Sequence, residues 1–148
     1  MLLFVKSKTY DMDLTTAFQQ INWLSVIVSA LAAFAIGSLW YSPVLFGKAW
    51  QKLIKLSDED IKSANMPLIF GTTFVLNIIG AFVLDMFIGN QATLATGLMA
   101  GLFVSIAWIA TSLGINYLFS RKSLELYFID AGYYVTFFAV MGIILGAW

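Results

Sequence analysis

The chain of 148 residues contains no cysteine and no histidine. The absence of cysteine excludes disulfide scaffolds and thiol nucleophiles. Without histidine as well, the chain has no Cys/His zinc site, no histidine-ligated haem and no Ser-His-Asp triad. We therefore expect no metal, no other cofactor and no catalytic residues, and the protein is predicted not to be an enzyme.

Charged residues are scarce, at 11% of the chain, and eight basic and eight acidic residues leave a formal net charge of zero. A soluble domain carries about 25% charged residues. Here 61% of the residues are hydrophobic and the mean hydropathy is +0.89. This composition indicates an integral membrane protein whose first partner is the lipid bilayer, and the neutral charge excludes a case for nucleic-acid binding.

Four runs are long enough to cross a bilayer, which takes about 20 apolar residues. The predicted spans cover residues 21–42, 68–88, 94–119 and 124–148. Pro43 and Pro67 are expected just outside the first two spans. The predicted fold is an all-α membrane protein, a four-transmembrane-helix bundle forming one domain over residues 21–148, preceded by an N-terminal extension over residues 1–20.

The connection between the first two spans mixes apolar and basic residues. This pattern predicts a short amphipathic helix lying in the membrane interface, where lysines reach toward lipid phosphates. Ser57 followed by three acidic residues predicts the start of a second short helix. The candidate interfacial residues are Lys48, Trp50, Lys52 and Lys55.

The distribution of lysine and arginine predicts the orientation of the spans. Six basic residues lie in the two longer connections, whereas Lys6 and Lys8 lie on the opposite side. We therefore expect the two longer connections in the cytoplasm and both termini outside.

Small residues recur four apart on three of the spans, as in helices that pack closely in lipid. Such ridges could pack within one chain or against a second copy, and we expect a homo-oligomer, with a dimer favoured. The candidate packing residues are Ser25, Ser29, Ala33 and Gly37 in the first span, Gly97, Gly101 and Ser105 in the third, and Gly142 and Gly146 in the fourth.

Polar side chains within the spans are costly in a membrane and are functional hypotheses by default. No basic residue lies in any span to pair with the acids there. Glu125, at the start of the fourth span, is explained by the helix dipole and nearby cations. The remaining side chains form a candidate polar pathway: Asp130, Asn116, Asn77, Asp85, Thr73 and Tyr41.

The run from Trp40 to Trp50 has the form W-Y-S-P-x-x-F-G-x-x-W, and further strings occur at residues 21–24, 116–119 and 129–133. Together they resemble a family of small four-span bacterial membrane proteins that is catalogued as a domain of unknown function. The resemblance covers residues 21–148. It implies the four-span fold and a bacterial inner membrane, and it transfers no substrate and no site residue.

Three functional hypotheses follow. A membrane enzyme is the least favoured, because Asp85 and Asp130 are predicted toward opposite leaflets and the sequence has no H-E-x-x-H, paired-acid or G-x-S-x-G motif; the other two are preferred. The first is a small proton- or cation-linked transporter or channel-like protein that acts as an oligomer on a small ion or molecule, because intramembrane acids favour transport. The alternative is a structural, accessory or lipid-interacting membrane protein without transport activity, in which the small-residue ridges and the interfacial helix carry the function.

Overall fold

The computed structural model describes residues 18–148, and the regular elements of this part of the chain are helices. Four of them are long and apolar enough to cross a membrane, which confirms the predicted all-α fold with four spans. Residues 1–17, most of the predicted extension, lie outside the described part. The helices are α1 (Trp23–Trp40), α2 (Gly47–Leu53), α3 (Asp58–Ser63), α4 (Met66–Ile88), α5 (Leu94–Phe119) and α6 (Leu124–Ala147).

A polar side chain caps the start of each long helix and of α3. Asn22 accepts hydrogen bonds from the backbone amides of the first turn of α1, and Thr93 and Ser123 do the same for α5 and α6. These caps satisfy amides that the helix itself leaves without partners. Helix α4 begins two residues earlier than predicted, so that Pro67 lies inside its first turn, where the missing N–H costs nothing.

The predicted pair of short helices between the first two spans is present as α2 and α3. In α3, Ser57 and Asp60 form a capping box, in which the Asp60 carboxylate accepts from the Ser57 backbone amide at 2.9 Å and from its hydroxyl at 2.6 Å. These hydrogen bonds lower the pKa of Asp60, because they favour the charged carboxylate.

Helix α6 lies at the centre of the bundle, packed along α5 on one side and α1 on the other, and α1 also packs against α4. The chain reverses direction at every connection between spans. The end of α1 and the start of α6 therefore meet at one end of the bundle, the Asp130 end. The start of α1, the end of α4 and the end of α6 meet at the other, the Asp85 end.

The buried apolar core lies between α1, α4 and α6. It is built from small side chains on α1 and larger ones on α6, so that the central helix fills the space that the small residues leave. Its members are Val26, Ala33, Ala81, Leu84, Phe137, Met141 and Leu145.

The closest packing joins α5 and α6 through glycines, which we call the glycine seam (Gly97, Gly101, Gly142 and Gly146). A Cβ atom added to Gly97 would overlap the carbonyl of Gly142, and one added to Gly142 would overlap that of Gly97. Gly101 and Gly146 face backbone carbonyls of the opposite helix in the same way. The small residues of α5 and α6 are thus used within one chain.

The small residues of α1 also face inward. Ser25, Ser29 and Ala33 are buried, and Gly37 lies against the ring and hydroxyl of Tyr133. The predicted ridge on α1 therefore packs against other helices of its own chain.

Helix α5 contains a π-helical segment, Val104–Ala110, that the sequence analysis did not predict. A hydroxyl bonds back to the helix near each end of this segment. Ser105 Oγ, within it, donates to the Gly101 carbonyl at 2.8 Å, and Thr111 Oγ1, just after it, donates to the Ala107 carbonyl at 2.7 Å. Serine and threonine that bond back to their own helix in this way bend it. Trp108, within this segment, is more than half exposed and packs edge-on against Phe103 and Phe87.

Candidate functional site

Asp130 lies in the second turn of α6 and is only 8% exposed. Its Oδ1 accepts a hydrogen bond from the Tyr41 hydroxyl at 2.8 Å, and its Oδ2 accepts one from the Tyr117 hydroxyl at 2.5 Å. Tyr41 comes from the end of α1 and Tyr117 from the last turns of α5. Three helices therefore meet at one carboxylate, and both of its oxygens have a hydroxyl donor.

Trp40 sets the position of Tyr41. Its indole Nε1 donates to the Ile129 carbonyl at 3.0 Å, which ties the end of α1 to the residue before Asp130. The same ring lies over Gly132, where a Cβ atom would come within 3.2 Å of it. The small Gly132 thus lets the indole reach α6.

The chain turns sharply after Tyr41 and packs back on it. Gly47 is buried in this turn, where a Cβ atom would be 2.6 Å from the Ser42 carbonyl oxygen. The ring of Phe46 lies 4.8 Å from that of Trp40, and the ring of Trp50 lies 5.2 Å from that of Tyr41. The W-Y-S-P-x-x-F-G-x-x-W run therefore forms one compact corner whose aromatic rings and glycine together hold the Tyr41 hydroxyl on Asp130.

More aromatic side chains surround this group. The Tyr133 ring lies 5.2 Å from that of Tyr41, and the Tyr134 ring lies 5.1 Å from that of Tyr133. On the other side, Lys122 places its ammonium 4.9 Å above the ring of Tyr117. The cation thus contacts the face of a tyrosine whose hydroxyl binds the carboxylate.

No lysine or arginine occurs in α1, α4, α5 or α6. A buried carboxylate is usually paired with a cation, but Asp130 is held by two neutral hydroxyls. An ionised carboxylate accepts both hydrogen bonds, whereas a protonated one donates to one tyrosine oxygen and accepts from the other. The same three side chains therefore stay hydrogen-bonded in both protonation states. In the protonated state, one tyrosine hydroxyl turns its hydrogen away from Asp130 and accepts instead.

The other predicted pathway residues lie at different levels of the bundle. Asn77 is 6% exposed, and its amide Nδ2 has no hydrogen-bond partner among residues 18–148. The Oγ of Ser29 is also buried without one. Ser29 precedes Trp40 by eleven residues and Asn77 follows Met66 by eleven, so both lie roughly 16 Å from the Asp130 end of their helices.

Three further candidates do not reach Asp130. Thr73 is half-buried on α4, and Asn116 is exposed, so that its neighbour Tyr117 and not Asn116 contacts the carboxylate. Asp85 is half-buried at the opposite end of the bundle. The structure thus brings Asp130 together with the predicted Tyr41 and the unpredicted Tyr117. All three lie at the opposite end of the bundle from Asp85.

The candidate interfacial residues lie around α2. Lys48, Lys52 and Lys55 are exposed, and Trp50 is half-buried against Tyr41. Just before α2, Val44 is 81% exposed. The basic and apolar side chains are therefore both presented outward, beside the corner that holds Asp130.

Residues 24–146 match the family described as Protein of unknown function (DUF1761). The chain belongs to this family. The DUF1761 match covers the Asp130 group, the glycine seam and the four spans except for Trp23 and Ala147. No curated protein and no solved structure matches the chain.

Sequence reasoning missed Tyr117 and Trp40 as parts of the site, because aromatic residues near span ends are most often explained by the membrane interface. The strings that carried the family resemblance held the missing signal. Trp40, Tyr117 and Asp130 all lie in those strings, and the structure brings them to one place.

Proposed function

We propose that this DUF1761 protein is a small proton- or cation-linked transporter of the bacterial inner membrane, in which Asp130 takes up and releases a proton. The observation that carries the proposal is a buried carboxylate held by Tyr41 and Tyr117, with no basic residue in any span. On protonation an O–H bond forms at Asp130 while a hydronium ion at the Asp130 end loses one of its O–H bonds and becomes water. The protonated carboxyl then donates to one tyrosine oxygen, and the hydroxyl hydrogen of that tyrosine turns away from Asp130.

The unpartnered polar atoms in the middle of the bundle support transport. A buried amide or hydroxyl without a partner costs about 1–3 kcal/mol, so a dry and permanently closed core would disfavour Asn77 and Ser29 at these positions. Water that reached them would satisfy them, because a water molecule accepts from the Asn77 amide and bonds to the Ser29 hydroxyl. With the Asp130 group and Asp85 they define three polar levels from one end of the bundle to the other.

Four helices enclose little space, so we propose that two copies work together. Helices α4 and α5 are the least covered of the four spans. On α4, Gly71 has no atom near the place of its missing Cβ, and it lies in an open apolar groove with Leu68 and Val75. Mass measurement of the protein in nanodiscs tests the dimer, and a purely monomeric particle contradicts it.

Proton uptake is tested with proteoliposomes that contain a pH-sensitive dye. We expect proton flux from the unaltered chain and its loss in Asp130→Asn, which keeps the shape of the side chain and cannot ionise. Glu125→Gln is the matched control, because it removes an exposed acid from the same helix and should leave flux unchanged. Infrared spectra recorded across a pH jump should show a carboxyl band that Asp130→Asn removes.

The competing function is a structural or lipid-interacting protein, and the outward-facing lysines beside exposed Val44 favour it. In that case Asp130 only anchors the corner between α1 and α2. Asp130→Asn would then destabilise the protein without altering any flux, and recovery of a stoichiometric partner complex from native membranes would support this reading. That the protein is not an enzyme stays a prediction.

The absence of cysteine makes the proposed orientation easy to test. Single cysteines at Lys62 and at Asn90 would lie on opposite sides of the membrane if both longer connections are cytoplasmic. An impermeant thiol reagent added to intact cells should label the variant at Asn90 and spare the one at Lys62. The reverse result contradicts the orientation and leaves the fold unaffected.

A further inference from the structure

The Asp85 end of the bundle contains a polar cavity of about 200 Å³. The end of α4, the start of α1 and the end of α6 form most of its wall. Side chains with hydrogen-bonding groups and one indole ring line it: Gln20, Asn22, Ser25, Asp85, Asn90 and Trp148. This cavity is separate from the Asp130 group, which lies at the other end.

Among residues 18–148, Asp85 is the one ionisable side chain that lines this cavity. It is half-buried, and the backbone N–H of Asn22 faces its carboxylate. Two neighbouring polar side chains already have hydrogen-bond partners within α1. The Asn22 side chain accepts from the first turn of α1, and the Ser25 hydroxyl donates to the Asn22 carbonyl at 2.8 Å. The carboxylate is therefore the strongest acceptor that the cavity offers to a ligand.

The chemistry of this lining selects a cation of limited size. A carboxylate attracts positive charge, amide oxygens accept hydrogen bonds, and an indole ring attracts a cation at its face. In the part of the chain that the structure describes, no lysine or arginine lines the cavity to repel such a ligand. The apolar share of the wall, from Leu145, Ala92 and Trp148, favours an alkylated ammonium over a bare metal ion.

We propose that the cavity at Asp85 is a binding site for a small organic cation of the alkylammonium class. Asp85 supplies the counter-charge, Asn22 and Asn90 border the polar side, and Trp148 covers the alkyl groups. This site does not depend on proton exchange at Asp130, because the two groups lie at opposite ends of α6 and share no residue.

The test measures binding of tetramethylammonium and methylammonium to the purified full chain in nanodiscs by calorimetry and tryptophan fluorescence. We expect dissociation constants on the order of 1 mM, as for one partly solvated charge contact with an aromatic ring. Asp85→Asn should weaken binding by about tenfold or more. Trp148→Phe should remove most of the fluorescence change.

Two further variants separate the site from general effects. Asn90→Lys places a positive charge at the exposed rim, outside any helix, and should weaken binding while the protein stays folded. Glu125→Gln removes an exposed acid at the other end of the bundle and should bind as the unaltered chain does. Normal binding by both Asp85→Asn and Asn90→Lys overturns the proposal.

The choice of ligand is tested by competition. Uncharged tert-butanol should not displace tetramethylammonium, and sodium chloride at matched ionic strength should displace it only weakly. Equal displacement by tert-butanol would show an apolar cavity, and equal displacement by sodium would show a site for inorganic cations. Either result overturns the alkylammonium assignment.

Discussion

The two ends of this bundle are held together in different ways. At the Asp130 end, α1, α5 and α6 are joined by tyrosine hydroxyls on one carboxylate and by aromatic rings around it. Toward the Asp85 end, α5 and α6 are joined by glycines whose backbones touch, next to an open polar cavity. The association of helices in lipid gains little free energy from the hydrophobic effect. The two ends show the two interactions that replace it, hydrogen bonding at one and close packing at the other.

The difference also separates the functions that we propose for the two acids. Both oxygens of Asp130 accept hydrogen bonds from protein hydroxyls, and the residue is almost fully buried. This arrangement suits the proposed uptake and release of a proton while the neighbouring side chains stay in place. Asp85 faces a cavity, which suits a group that meets a ligand. The surroundings of the two aspartates thus favour different proposed partners, a proton at Asp130 and a ligand at Asp85.

The largest effect is expected at the glycine seam. Gly142→Ala places a methyl group on the Gly97 carbonyl, and overpacking of this kind costs about 1–3 kcal/mol. Gly80→Ala, the same change on α4, meets only the tip of the Phe138 ring at 4.0 Å and should be neutral or stabilise the helix by up to about 1 kcal/mol. Unfolding in mixed detergent micelles measures both. A similar cost for both variants would show that the seam is not a close contact.

Removal of each acid then tests the two ends directly. Asp130→Ala leaves the hydroxyls of Tyr41 and Tyr117 without their acceptor and should cost about 2 kcal/mol of stability. Because the Asp85 side chain lines the cavity, Asp85→Ala should change the free energy of unfolding by at most about 0.5 kcal/mol. The same unfolding assay measures them, and equal losses would remove the distinction between a bonded and an open end.

Single hydroxyls give a smaller effect at the Asp130 end. Tyr117→Phe keeps the ring and removes one short hydrogen bond, so we expect a loss of about 1 kcal/mol. Tyr127→Phe is the matched control, because its hydroxyl makes only a 3.3 Å bond to the Ala110 carbonyl. A larger loss in the control would place the main link between α5 and α6 at Tyr127 instead.

The smallest effect lies outside the spans, in α3. Because the pKa of Asp60 is lowered in the folded protein, its contribution to stability is present above the pKa of the unfolded chain and is lost as the pH falls through the folded value. The protection of the α3 amides against hydrogen exchange, relative to their intrinsic exchange rate at the same pH, should therefore fall below about pH 4. Asp60→Asn should remove this pH dependence without altering α6. An unchanged profile would show that the capping box does not hold α3.

The glycine spacing illustrates how far sequence reasoning reaches. Repeats of small residues four apart identified Gly97, Gly101, Gly142 and Gly146 as packing positions, because this spacing puts them on one helix face. The spacing says nothing of the partner helix. Only the relative height and rotation of α5 and α6 show that Gly97 and Gly142 meet each other within one chain.

The candidate site was likewise predicted only in part from the sequence. Asp130 stands out in the sequence because a charge within an apolar run is costly. Its partners do not, because Tyr117 lies 13 residues away and Tyr41 lies 89 residues away along the chain. An aromatic residue near a span end is equally suited to the membrane interface, and nothing local separates the two roles.

The sequence by itself determined the class of this protein, its four spans, the Ser57 cap that starts α3 and the identity of the costly acids. These properties depend on hydropathy and on hydrogen bonds between near neighbours. The tertiary structure alone decided that tyrosine hydroxyls occupy both oxygens of Asp130, that the glycines of α5 and α6 meet, and that Asp85 faces a cavity. Each of these depends on how the helices are set against one another, which packing between distant residues decides.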